Sequence, residues 1–202
     1  NSILHRYRVT GRFPGVEINV PPTAVVGTDV FDRFMNNGEL WEHALADTPE
    51  QEISRRFLAA KLPPEIYGDL EAFLELVKYP LAVRSSSLLE DSQYQSFSGV
   101  YETYMLPNNH PSLDVRLAQL LEAIKVVYAS TYFQVARDYL ETTPYRTEEE
   151  LMAVLVQRLV GSRRGDRDGP DGAGRLTGAR NPIHRVRHWP RPGSVLGFPR
   201  YP

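Results

Sequence analysis

The chain has 202 residues, 23 Lys and Arg against 25 Asp and Glu, 42% apolar residues and no cysteine, an ordinary composition for a water-soluble globular protein. Lack of cysteine excludes a disulfide framework, a zinc ribbon, an iron–sulfur cluster and a thiol nucleophile, and fits the cytoplasm best. Apolar runs such as Leu151 to Val156 fall far short of the roughly 20 residues a membrane helix needs, and the chain opens on Asn1 with no signal pattern and no Met, which points to a fragment that begins further upstream.

In chain order, Leu4, Tyr7 and Val9 give a basic amphipathic start. It leads through Gly11, Pro14 and Gly15 to Pro21-Pro22, where the double proline stops regular structure. Ala24-Val25-Val26-Gly27 reads as a short strand, followed by a helix capped by Thr28 with Phe31, Phe34 and Met35 on one face. Thr48-Pro49-Glu50-Gln51 predicts a second cap with proline at the first helical position, opening a helix through Ile53, Phe57 and Leu58. Pro63-Pro64 ends it, and Ile66, Leu70, Phe73, Leu74 and Val77 recur at helical spacing after Glu65. The first half is therefore predicted to be mostly helical.

The character changes at Tyr79. Pro80 to Arg84 is a strand-like run that delivers Arg84 into a long polar loop beginning at Ser85, and Val100 to Leu106, rich in β-branched and aromatic residues, predicts the next strand. Ser112 caps a long helix whose Leu117, Leu120, Leu121, Ile124, Val127 and Tyr128 recur at three and four, with helix resuming from Phe133 to Leu140. Leu151 to Val160 is read as a final strand. The fold class is α+β.

Charge divides the chain. Residues 162–202 hold 9 Arg, no Lys, 3 Asp, no Glu, 7 Gly and 6 Pro, a net of +6 against −8 for residues 1–161. Such a segment buries too little apolar surface to order itself, so a boundary is expected near Gly161, with a disordered or out-of-frame tail over 162–202. Abundant Arg, Gly and Pro without Lys or Glu is what a GC-rich gene gives in a shifted frame. That reading ranks first and plain disorder second. Nucleic-acid binding through phosphates, with Trp189 or Phe198 stacking on bases, ranks last.

The chemistry concentrates between Val83 and Thr103, where one guanidinium, three consecutive hydroxyls, an acidic pair and a glycine lie near two strand ends. Arg84 suits a phosphate or carboxylate through its planar, always charged fork. Serine hydroxyls and turn N–H groups add donors, and Gly99 permits a positive φ or a close backbone approach. The same residues also suit a structural ion pair of Arg84 with Glu90 or Asp91 and serines that cap a turn, and composition leaves both readings open.

Val83-Arg84-Ser85-Ser86-Ser87-Leu88-Leu89-Glu90-Asp91, followed by Ser96-Phe97-Ser98-Gly99-Val100-Tyr101-Glu102-Thr103, resembles the signature of the ATP-binding domain of phosphoenolpyruvate synthase and pyruvate phosphate dikinase. Val20-Pro21-Pro22 with Phe31 to Phe34, Val127-Tyr128-Ala129-Ser130, and Met152 to Val160 resemble further family segments in the expected order, so the resemblance covers about residues 16–161. It implies a partial ATP-grasp-like domain over residues 1–161, in which two α+β subdomains hold MgATP. By the same resemblance, Arg84 contacts the nucleotide phosphates, Gly99 and Thr103 line the phosphate pocket, and Gln157 faces the nucleotide. Ser85 and Ser86 are supporting donors, and Glu90 and Asp91 are orienting or direct contacts.

The implied parent is a kinase or phosphotransferase that passes phosphoryl groups from ATP through a histidine domain to pyruvate or a similar acceptor. The family's nucleotide-contacting lysine and its magnesium carboxylates have no counterpart here: Lys61, Lys78 and Lys125 are the only lysines, all in other contexts. The fragment is therefore expected to be inactive alone, with Mg2+ ligands outside it. A non-catalytic nucleotide-binding regulatory module is the next reading, and an Arg-rich nucleic-acid-binding protein the third. His5, His43, His110, His184 and His188 fall in no matching context. No G-x-S-x-G, Walker A or H-E-x-x-H occurs, so no catalytic or metal-binding residue is assigned.

Overall fold

The computed structural model of the chain describes residues 20–87, 90, 99–147 and 150–160, and the backbone of 184–186. The elements run β1 (Thr23–Val26), α1 (Thr28–Asn37), α2 (Trp41–Leu45), α3 (Glu50–Ala59), α4 (Glu65–Leu76), β2 (Leu81–Ser87), β3 (Thr103–Leu106), α5 (Leu113–Ser130), α6 (Gln134–Glu141), β4 (Met152–Arg158) and β5 (His184–Val186). The strands form one antiparallel sheet in the order β1-β4-β2-β3-β5. Mixed helices and a small antiparallel sheet make an α+β architecture, with four of the described helices before β2, three of them where the periodicity predicts and the short α2 (Trp41–Leu45) in addition. No helix among the described residues is long and apolar enough to cross a membrane.

The core lies between one sheet face and the helices. The long helix α5 packs against α3, α4, β2 and β3, and α1 packs against β4. Phe31, Phe34, Phe57, Tyr128 and Tyr132 are all at most 1% exposed. The Phe31 and Phe34 rings stand 5.0 and 5.5 Å from Tyr128, with Phe57 5.7 Å from Phe34 and 5.8 Å from Tyr132. Edge and tilted contacts of this kind add to the area the rings remove from water.

Several expectations shift by a residue or more. Thr28 opens α1 from inside, with Gly27 in the cap position and no side-chain cap. Pro49, not Thr48, sits at the cap of α3, its carbonyl accepting from the Glu52 and Ile53 N–H groups at 2.9 and 3.1 Å. Proline loses nothing there, because an N–H at a helix start has no intrahelical acceptor. Ser112 caps α5 as expected, its Oγ accepting from Val115 N–H at 3.4 Å.

The largest difference concerns Ser85, Ser86 and Ser87, read as the start of a loop. They continue β2, opposite Val154, Ala153 and Met152 of β4. A partner strand in ladder register overrides the turn preference of serine. Conversely β3 begins only at Thr103, because Gly99 and Val100 form a turn. The amphipathic start at Leu4, Tyr7 and Val9 lies outside the described residues, as do Gly161 and residues 162–183 and 187–202 of the basic tail.

Entry into β2 is fixed by buried polar contacts. Asn108, at a positive φ of 51°, donates from Nδ2 to the carbonyls of Val77 and Tyr79 at 2.7 and 2.9 Å. Buried Arg116 donates to Leu74 O at 2.8 Å and to Asn108 Oδ1 at 3.3 Å. The left-handed conformation is one that Asn tolerates better than most residues. These contacts satisfy the carbonyls left over at the end of α4, and so set where β2 starts.

Candidate functional site

Strand parity sorts the block from Val83 to Thr103 into two groups. Side chains alternate between faces along a strand, and residues directly opposite across antiparallel strands share a face. Arg84 stands opposite Thr103 on β3 and Leu155 on β4, and Gln157 stands opposite Ala82 on β2 and Thr23 on β1. Arg84, Thr103 and Gln157 therefore share one face, with Ser86 beside them, and all four are half-buried. Gln157 Nε2 donates to Thr23 Oγ1 at 3.2 Å across that face. Val25, on the same face, is 64% exposed, and among the described residues only Ala82 at its centre is closed, at 4%, whereas Leu81, Val83, Val154 and Val156 on the other are 0% exposed, which separates a half-exposed face from a helix-covered one.

Gly99 is exposed at φ 84°, a backbone conformation that favours glycine, and turns the chain toward Thr103. Ser85 projects to the covered face and donates its hydroxyl to Glu90 Oε1 at 2.9 Å. Ser87 N–H donates to Glu90 Oε2 at 3.0 Å, and Ser87 Oγ accepts from Glu90 N–H at 3.2 Å. This reciprocal closure is the logic of a capping box applied at a strand end. Glu90 and Ser85 are thus brought together with each other and not with Thr103 or Gln157. Asp91 lies outside the described residues.

A second polar group was not legible in the sequence. Tyr101 Oη donates to Glu150 Oε1 at 3.0 Å, with Tyr101 5% and Glu150 1% exposed. Burial pushes the Glu150 carboxyl up from the ordinary carboxylate value, hydrogen bonds from Ser87 and Tyr101 oppose that rise, and the charge of Glu90 adds to it. Burial also raises the Tyr101 phenol, and the neighbouring Glu150 charge raises it further. Next along the chain, Glu102 N–H donates to Ser130 Oγ at 3.1 Å, while the Ser130 hydroxyl donates to Val127 O at 2.7 Å. The turn from Gly99 to Thr103 is therefore tied to the end of α5 and to the residue that precedes β4. Glu150 gave no signal because the run Glu148-Glu149-Glu150 looks like a solvated face, and Tyr101 reads by spacing as core.

The half-exposed face presents a guanidinium, hydroxyls and an amide, a set that matches an anionic ligand rich in acceptors. Among the described residues no three His, Asp or Glu side chains gather as a metal site.

The family model for the AMP/ATP-binding domain of pyruvate phosphate dikinase matches residues 9–179, and the chain belongs to that family. It is 29% identical over 167 residues to a phosphoenolpyruvate synthase of Aeropyrum pernix, covering 72% of this chain and 20% of that protein. It is 28% identical over 144 residues to an uncharacterized phosphotransferase, YvkC, of Bacillus subtilis, covering 71% of this chain and 16% of the relative. The chain thus spans a fifth or less of the length of these relatives. The family match includes Arg84, Gly99, Thr103 and Gln157 and continues past Gly161.

Proposed function

We propose that this chain is the nucleotide-binding part of a dikinase-type phosphotransferase, and that MgATP lies on the half-exposed sheet face. The observation that carries the reading is the shared face of Arg84, Thr103 and Gln157 in a member of an AMP/ATP-binding family. Arg84 pairs with phosphate oxygens through its fork, Thr103 and the Gly99 N–H add donors, and Gln157 exchanges its bond to Thr23 for one to the nucleotide. Ser86 is a supporting donor from the same face. Ser85 and Glu90 hold the backbone that carries Arg84, and Asp91 has an orienting or a direct role.

The fold is the first portion of an ATP-grasp-like domain whose remaining portion, with the Mg2+ ligands and the nucleotide-contacting lysine, belongs to a longer parent. That parent passes phosphoryl groups through a histidine domain to pyruvate or a similar acceptor in the cytoplasm. Phosphoryl transfer rests on metal and cationic stabilisation of the transferring group, so this stretch binds ATP without turning it over. Calorimetric titration with MgATP tests the reading: binding should weaken roughly thirtyfold on Arg84→Ala, and unchanged affinity in that variant overturns it. Polynucleotide binding that survives Arg84→Ala but vanishes on deletion of 162–202 would favour the nucleic-acid reading.

The boundary near Gly161 belongs to the same proposal, supported by the change of charge and composition. The family match to residue 179 and the pairing of His184–Val186 with β3 argue for a later one. Limited proteolysis decides: cleavage clustered just after Gly161 supports the earlier boundary, and protection as far as Val186 rejects it.

A further inference from the structure

We infer that Ser130 and the Tyr101–Glu150 pair are positioning residues for the phosphate-facing turn, holding Gly99 to Thr103 in register with Arg84. The inference rests on the proposed ATP site and adds residues that touch no ligand. Thr103 is the first residue of β3 and faces Arg84 directly, so the path of Gly99 to Glu102 decides where the Thr103 hydroxyl and the turn N–H groups stand. Two independent ties fix that path, and each is at most 5% exposed at the tethering side chains.

The first tie is a backbone contact. Glu102 N–H, immediately before Thr103, donates to Ser130 Oγ at 3.1 Å, and the serine is itself oriented by its bond to Val127 O at 2.7 Å. Ser130 is the last residue of α5, the helix packed against both β2 and β3, so the turn is referenced to the same body that carries Arg84. The second tie is lateral: Tyr101 reaches Glu150, two residues before β4 begins at Met152. Glu150 is also bonded by Ser87, the final residue of β2. One carboxyl therefore links the end of β2, the start of β4 and the turn before β3, the three strands that carry Arg84, Gln157 and Thr103. A hydrogen bond buried this deeply is costly to leave half-made, so each tie has a single low-energy geometry. Small displacements of donors around a phosphate cost affinity steeply, which is what such ties prevent.

The test uses the full chain and titrates MgATP, inorganic tripolyphosphate and adenosine into the parent sequence and into Ser130→Ala, Tyr101→Phe, Glu150→Ala and Glu150→Gln, with melting and amide exchange measured alongside. Ser130→Ala and Tyr101→Phe should each weaken MgATP and tripolyphosphate about tenfold, equivalent to roughly 1.4 kcal/mol, while adenosine binding is unchanged. Exchange at the Glu102 amide should accelerate in Ser130→Ala. Glu150→Ala should behave like Tyr101→Phe, and Glu150→Gln, which keeps an acceptor for the Tyr101 hydroxyl, should recover most of the loss. Unaltered tripolyphosphate binding in Ser130→Ala and Tyr101→Phe, or a loss that merely follows melting temperature and is the same in Glu150→Gln, overturns the inference. Failure of the unsubstituted chain to bind MgATP instead overturns the functional reading, and the inference with it.

Discussion

From Val83 onward, alternate residues of β2 meet opposite fates. Leu81, Val83, Ser85 and Ser87 lie against the helices and are at most 7% exposed, while Arg84 and Ser86 stay half-open on the other face. On the covered side, polar atoms persist because they close on one another: Ser85 and Ser87 on Glu90, and Tyr101 on Glu150. On the other side, Arg84, Thr103 and Gln157 stay half-buried, and Gln157 bonds to Thr23 across that face. A single run of five residues, Val83 to Ser87, thus supplies both packing and chemistry, and the pleat assigns the roles.

Substitutions can pull this division apart. Phe34→Ala, in the aromatic core beneath the covered face, should cost about 3–5 kcal/mol of stability, read by denaturant unfolding, and abolish binding only through unfolding. Arg84→Ala should do the reverse, costing about 2 kcal/mol of MgATP affinity, roughly thirtyfold in Kd, with little change in melting. A large stability loss in Arg84→Ala would break the comparison. Glu90→Ala, which strands Ser85 and Ser87, should cost about 1–3 kcal/mol of stability, and affinity should fall with it. Ser112→Ala should cost about 1 kcal/mol through loss of the α5 cap and leave affinity alone.

The smallest effect is a pH slope. Burial first, and then the Glu90 charge, raise the Glu150 carboxyl above its unfolded value, so the folded state holds its proton more tightly than the unfolded state. Stability from this group is full below the ordinary Glu pKa near 4.5 and declines as pH rises through the raised folded value. Glu150→Gln, which resembles the neutral form, should flatten that decline. Melting temperatures measured from pH 4 upward check it, and an equal slope in both proteins would remove Glu150 from the account. Glu52 runs the opposite way: hydrogen bonding to Arg55 lowers its carboxyl to about 2, and with the two side chains 31% and 69% exposed that interaction is one salt should screen.

Helices were legible because a helix with one buried face writes a 3.6-residue rhythm into its own sequence, as Leu70 and Leu74 in α4 or Leu120, Ile124, Val127 and Tyr128 in α5 do. Strand ends were less so. Ser85 to Ser87 looked like a loop because what makes them a strand is β4, some 70 positions away in the register. Resemblance of short motifs proposes Arg84, Gly99, Thr103 and Gln157, but the separation of Arg84, Thr103 and Gln157 from Ser85 and Glu90 depends on a register that no local pattern carries. Glu150 stayed hidden because its partner Tyr101 is 49 residues away.

The pairing of β1 with β4 joins parts of the chain that emerge from the ribosome far apart: Thr23 and Gln157, bonded side chain to side chain, are separated by 134 positions. The helices between them can form from local contacts, but β1 has no ladder partner among the described strands until β4 has been made. Closure of so long a loop is a slow, late event in folding. Gln157, proposed to face the nucleotide, lies on the strand that completes this closure, and the buried Met152, Val154 and Val156 of that strand enter the core in the same step, so the proposed binding face and the core close together.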